Sequence, residues 1–87
     1  MRLDRWLWQA RFLKSRSLAS SICAAGKVRV DGAIIRKSHY TVRVGDVLTL
    51  SKGRDVKVVR IEALGNRRGP ATEARTLYSE MVPRSLK

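Results

Sequence analysis

The chain has 87 residues, 44% of them hydrophobic, which fits one small globular domain and leaves little room for a deep catalytic cavity beside its core. Lys and Arg number 19 against 7 Asp and Glu, a formal net charge of +12 that favours polyanionic partners, nucleic acid first and an anionic membrane surface second. One Cys and one His exclude an intramolecular disulfide and a Cys/His metal cluster, and no cofactor is expected.

No apolar run approaches the roughly 18 residues of a spanning helix, and Met1-Arg2-Leu3-Asp4-Arg5 carries too much charge for a signal peptide. A cytoplasmic monomer is the expectation. Leu3, Trp6, Leu7, Ala10 and Leu13 follow helical spacing and define one buried face. Asp4 falls in the first turn of this helix and Lys14 in its last, each complementing the helix dipole. Trp8 and Phe12 form a second apolar stripe on the opposite side, either covered by another part of the chain or free to stack on bases.

Ser15 is an N-cap residue for a second helix, with Arg16 at its first position. Leu18, Ala19, Ile22 and either Cys23 or Ala25 make its inner face, and Gly26 ends it. Lys27-Val28-Arg29-Val30 alternates charge with valine as a half-buried strand does. Asp31-Gly32 is a two-residue hairpin signal. Ala33 to Arg36 returns, and Lys37 to Thr41 is irregular. Val44-Gly45-Asp46 is a turn, and Val47–Leu50 and Val56–Ile61 are two more strands joined by Lys52-Gly53-Arg54-Asp55. Pro70 precedes a last helix with Ala74, Leu77, Tyr78 and Met81 on one face. Too short to be stable alone, it is expected to dock over Trp8 and Phe12.

The chain therefore reads as α+β. A helix-turn-helix-like pair packs on a small, mostly antiparallel sheet, and a short C-terminal helix follows. Residues 1–64 form the principal domain, with 65–87 a basic loop and helix docked on it.

No catalytic set emerges. Cys23 lies mid-helix, His39 lies in an irregular segment, and the carboxylates are scattered at helix ends and turns. The cations, by contrast, concentrate: nine Lys or Arg against two Asp fall between Arg2 and Lys37. A helix pair abutting a hairpin would gather Arg11, Lys14, Arg16, Lys27, Arg29, Arg36 and Lys37 into one cationic surface. Structured RNA suits that surface better than DNA. The second helix is rich in Ala and Ser, and poor in the base-reading Asn, Gln and Arg of a major-groove helix.

Arg2-Leu3-Asp4-x-Trp6-Leu7, Ser15-Arg16-Ser17-x-Ala19, Gly26-Lys27-Val28-x-Val30-Asp31-Gly32 and Val44-Gly45-Asp46 occur in that order. Together they resemble the RNA-binding domain named after small-subunit ribosomal protein S4, also called the αL motif, over about residues 1–50. Trp6-x-Trp8-x-Ala10-Arg11-Phe12-x-Lys14-x-Arg16-Ser17 and Pro70-Ala71-x-Glu73-Ala74-x-x-Leu77-Tyr78 are similar to the bacterial fifteen-kilodalton heat-shock protein family. That resemblance implies RNA contacts at Arg5, Arg11, Lys14, Arg16, Ser17, Lys27, Arg29, Arg36, Lys37 and Ser38; the glycine-bounded stretch Gly65 to Pro70 adds Arg67 and Arg68 as a secondary basic loop. It also implies a non-enzymatic role on ribosomal RNA of the large subunit, on stalled or dissociated subunits that hold a nascent chain on tRNA during stress, with tRNA a further candidate partner. Asp31 stands where many relatives carry Asn. The competing readings are the RNA-binding module of an RNA-modifying enzyme, such as a pseudouridine synthase, and a general nucleic-acid-binding protein. Membrane-surface binding ranks below both, because the first helix is short and has two apolar faces.

Overall fold

The computed structural model describes residues 1–81, with Lys52 described by its backbone alone. Helix α1 spans Leu3–Gln9 and buries Leu3, Trp6 and Leu7, with Ala10 beside them. It ends before Leu13 and Lys14, short of the helix predicted from the spacing. Arg11 takes a left-handed φ of 65°. Its N–H donates to Trp8 O (3.1 Å) and that of Phe12 to Leu7 O (3.1 Å), the paired bonds of a Schellman stop. A side chain in this conformation costs energy, and no glycine marks the place. Two features offset that cost. Phe12 turns into the core against Trp6, and Arg11 Nε donates to Gly69 O at 2.7 Å.

Helix α2 spans Arg16–Ala24, capped by Ser15, whose Oγ accepts from the Leu18 N–H at 3.1 Å. Gly26, at φ 75°, supplies the left-handed stop. Lys27 N–H donates to Ile22 O at 3.1 Å in the same Schellman pattern. The buried seam of α2 is narrower than expected: Ala19 and Cys23 are buried and Ile22 half-buried, whereas Leu18 is 47% exposed. Small side chains spaced i, i+4 let α2 lie close to α1, and Leu18 falls outside that contact.

The sheet has five strands in the order β2-β1-β3-β4-β5, every pair antiparallel: β1 (Val28–Val30), β2 (Ala33–Ile34), β3 (Val47–Lys52), β4 (Asp55–Ile61) and β5 (Tyr78–Met81). The β1–β2 turn has both Asp31 (φ 50°) and Gly32 (φ 89°) left-handed, the geometry that matches strand twist. Val28 pairs with Leu50, Val30 with Leu48, and Leu48 with Val59. These residues and Ile61 form the sheet face that packs on Leu3, Trp6, Leu7, Ala19 and Cys23.

The C-terminal region differs from expectation beyond its first turn. α3 covers only Ala71–Ala74, Arg75–Leu77 is a 3-10 turn, and Tyr78 switches to extended backbone (φ −151°, ψ 162°). From there β5 pairs with β4, Tyr78 opposite Ile61 and Met81 opposite Val58. A four-residue helix stabilises little by itself, while the open edge of β4 satisfies a row of backbone groups. Trp8 and Phe12 also part company. Phe12 joins a ring cluster with Trp6 (5.9 Å) and Tyr78 (4.7 Å), whereas Trp8 lies under the Arg68 guanidinium (5.7 Å). Residues 82–87 of the expected C-terminal unit lie outside the described residues.

Candidate nucleic-acid interface

The surface is built around one buried carboxylate. Asp4 is 2% exposed. The Arg2 guanidinium grips it with two bonds (3.1 and 3.0 Å), Ser20 Oγ donates to it at 3.3 Å, and the Arg5 N–H donates at 2.8 Å. Arg16, from the first position of α2, approaches to 3.8 Å. Burial by itself would raise the Asp4 carboxyl. The Arg2 bond and charge, the Arg5 N–H and the Arg16 charge outweigh it and hold the group below its ordinary value. The anion thus fixes two cations whose side chains remain 51% and 46% exposed, one beside α1 and one on α2. Two arginines share one carboxylate, so the cluster keeps a net positive charge.

The segment after β2 runs along the same side. Arg36 Nη1 donates to Ala24 O at 3.3 Å, capping the negative end of α2. Its guanidinium lies over Gly26, so close that a Cβ there would meet Nη1 at 2.8 Å. Gly26 therefore serves both the helix stop and the seating of Arg36, with exposed Lys27 next in the chain. Further on, Ser38 O accepts the Asp4 N–H at 3.1 Å and Tyr40 O the Leu3 N–H at 2.8 Å. Residues 36–38 therefore bridge from the C-terminus of α2 to the start of α1. Arg2, Arg16 and the Ser38 backbone thus meet at Asp4, Arg36 sits at the other end of α2, and exposed Lys27 and Lys37 follow Gly26 and Arg36 in the chain. At the α2 N-terminus, Ser17 and Lys14 are exposed beside Arg16.

Other predicted residues stand elsewhere. Arg5 reaches the loop after β4, with Nη2 3.5 Å from Asn66 O. Gln9, with its amide nitrogen towards Gly65 O (3.1 Å), accepts from Arg5 Nε (3.3 Å). Arg11 donates to Gly69 O and Arg68 Nε to Trp8 O (3.1 Å). Arg67 pairs with Glu73 at 3.0 Å. Arg5, Arg11 and Arg68 tie the loop to α1 and Arg67 ties it to α3, and Arg5, Arg11 and Arg67 remain exposed. Arg29 projects from the sheet face opposite the helices, between its buried neighbours Val28 and Val30 and paired with Ile34 and Thr49. The structure does not bring it to the α2 side.

Arg2 was absent from the predicted contacts. The sequence signals for it are its place in the basic N-terminal stretch and in the Arg2-Leu3-Asp4 motif, and neither shows that Asp4 anchors a cationic cluster. Asp31, the residue at variance with many relatives, is engaged within the fold, where its Oδ1 accepts the Val47 N–H at 3.0 Å and ties the hairpin turn to β3. His39 is exposed, while Cys23 is fully buried. Burial first, and the Asp4 charge second, push the Cys23 thiol up to about 11, so it is a protonated core residue.

The S4 domain model matches residues 1–48, the span that carries Arg2, Asp4, Arg16 and residues 36–38. The chain belongs to the S4-domain family. Heat shock protein 15 of Escherichia coli K12 is 42% identical over 80 residues, covering 92% of this chain and 59% of that protein. The RQC P-site tRNA stabilizing factor of Listeria monocytogenes is 32% identical over 82 residues, covering 92% and 88%. The solved trimeric structure of Vibrio cholerae heat shock protein 15 superposes with a TM-score of 0.88 at 43% identity, covering 93% of this chain and 81% of that one. The chain spans about three-fifths of the length of the heat shock protein 15 relatives it matches. The S4 region thus comprises α1, α2, the β1–β2 hairpin and the segment leading into β3.

Proposed function

We propose that this chain is a non-enzymatic RNA-binding protein that grips structured ribosomal RNA of the large subunit through the α2 face of its S4 domain. The observation that carries the reading is the Asp4 cluster. Arg2 and Arg16 are held together by one carboxylate whose charge they outnumber, and Arg36 extends the same surface to the far end of α2. Preorganised guanidiniums suit phosphate recognition, because little side-chain freedom remains to be lost on binding. Lys14, Ser17, Lys27, Lys37 and Ser38 add donors around them, while Arg5 and Arg11 are engaged with the loop after β4.

The relatives point to the setting. One is named a heat shock protein and another a factor stabilising P-site tRNA. The reading extends from these: the chain acts in the cytoplasm on stalled or dissociated large subunits that retain nascent chain–tRNA, with tRNA as a second RNA contact. Support for a non-enzymatic role comes from those two names, neither of them an enzyme's, and from the sequence, whose carboxylates are scattered at helix ends and turns. We take the monomer as the RNA-binding unit. The Vibrio cholerae relative was solved as a trimer, and light scattering with and without RNA tests which state binds.

The deciding experiment is sedimentation with purified ribosomal particles. Co-migration with large subunits bearing peptidyl-tRNA, lost in Arg16→Glu and Arg36→Glu, is the expected result. Migration with neither free subunits nor whole ribosomes overturns the reading.

A further inference from the structure

Between the α1–α2 linker, the sheet and α3 lies a half-open cavity of about 300 Å³. Phe12, Leu13, Ile22, Leu50, Ala74 and Tyr78 line its apolar part, and Arg11, Lys57 and Arg75 stand at its polar part. Its volume is at the low end of the roughly 300–1,000 Å³ typical of small-ligand pockets. It shares no residue with the Asp4 cluster of Arg2, Asp4, Arg16 and Ser20. We propose that this groove takes one unpaired nucleotide of the bound RNA, its base against the Phe12–Tyr78 ring pair and its phosphates on Arg11, Arg75 and Lys57. The inference rests on the RNA-binding reading and gives that function a second, single-stranded contact.

The chemistry selects this occupant. A wholly apolar ligand would bring no anion to Arg11, Lys57 and Arg75 at the groove's polar part. The chain's own residues beyond Met81 include Arg84 and Lys87 and no carboxylate side chain, so the cations disfavour them. A nucleotide is both flat and aromatic at one end and anionic at the other, as the groove requires. Lys57 pairs with Glu80 at 3.2 Å, but both side chains are more than half exposed, and such a pair yields readily to a phosphate. Arg11 holds Gly69 O through Nε, which leaves its terminal nitrogens for another partner. Phe12 and Tyr78 are already in contact with each other and with Trp6, so the rings are ordered before a base arrives.

The test is an amide-shift titration of the whole chain with a short oligouridylate, run beside an abasic oligomer of equal length and a Glu/Leu peptide. Shifts at Phe12, Ile22, Ala74 and Arg75 with the oligouridylate alone are expected. Ala71→Trp, which fills the groove from an exposed position, and Arg75→Glu should each weaken oligouridylate binding about five-fold or more. A closed RNA hairpin, bound through the α2 face, should be unaffected by both and lost in Arg16→Glu. Equal groove shifts with the abasic oligomer, preference for the peptide, or unchanged binding in both groove variants would overturn the proposal. Failure of the wild-type chain to bind the hairpin would instead count against the α2-face reading, while the oligouridylate shifts still report on the groove by themselves.

Discussion

Asp4 is a buried carboxylate kept charged by arginines that stand about half in water, and its removal has two consequences. Asp4→Asn loses the paired Arg2 bonds and leaves Arg2 and Arg16 to repel each other. Urea denaturation at pH 7 should show a loss of about 2 kcal/mol, in the range for hydrogen bonds to charged groups. The folded-state carboxyl titrates below its unfolded value of about 3.9, so its contribution is complete above that value and disappears as pH falls through the lower, folded one. The stability gap between wild type and Asp4→Asn should therefore close below about pH 4, as measured by denaturation at stepped pH. Cys23 has the opposite character. With its thiol pushed up to about 11 and no exposed surface, it should resist thiol reagents at pH 8 in the native protein and react only in denaturant. At this scale some residues were legible from local chemistry, such as Ser15 as a cap and Asp31-Gly32 as a turn. The role of Asp4 was not, because the Ser20 and Arg16 that face it lie on another helix.

The two helix stops show where element-level reading succeeds and fails. Both helices end in the same bond pattern, but only α2 places glycine in the left-handed position. Gly26→Ala should lower stability by about 1–2 kcal/mol through the strained φ. It should also lift Arg36 off the α2 terminus, so RNA affinity falls together with the melting temperature. Arg11 hides the α1 stop, since its conformation is held by distant partners, Gly69 O for its side chain and the ring cluster for Phe12. The C-terminal segment teaches the same lesson. Ala74 and Leu77 suit a helix face and are indeed buried, but from Tyr78 the free edge of β4 outweighs local propensity. Deleting residues 71–87 strips Tyr78 from Trp6 and Phe12. Trp emission should shift to longer wavelength, and an unchanged spectrum would contradict the packing described for β5.

Over the whole molecule the positive charge divides into surfaces with different roles. Arg2 and Arg16 meet at Asp4 and Arg36 caps α2, whereas Arg5, Arg11, Arg67 and Arg68 make bonds that involve the loop after β4. Arg29 stands on the far side of the sheet. About six phosphate contacts would make log affinity fall against log salt with a slope of about −4 to −5. Arg16→Glu should flatten that slope, while Arg29→Glu should leave it nearly unchanged. Filter binding across a salt series, with one structured RNA, separates the two.

Composition, turn chemistry and the ordered short motifs were enough to establish an α+β S4-type domain with an excess of positive charge, because each of those signals acts between residues close in the chain. Which cations share a face, where α1 stops and that the chain's later residues join the sheet were settled only by folding. Those outcomes depend on hydrogen bonds and ring contacts between residues up to some seventy positions apart, and no local pattern encodes a partner at that distance.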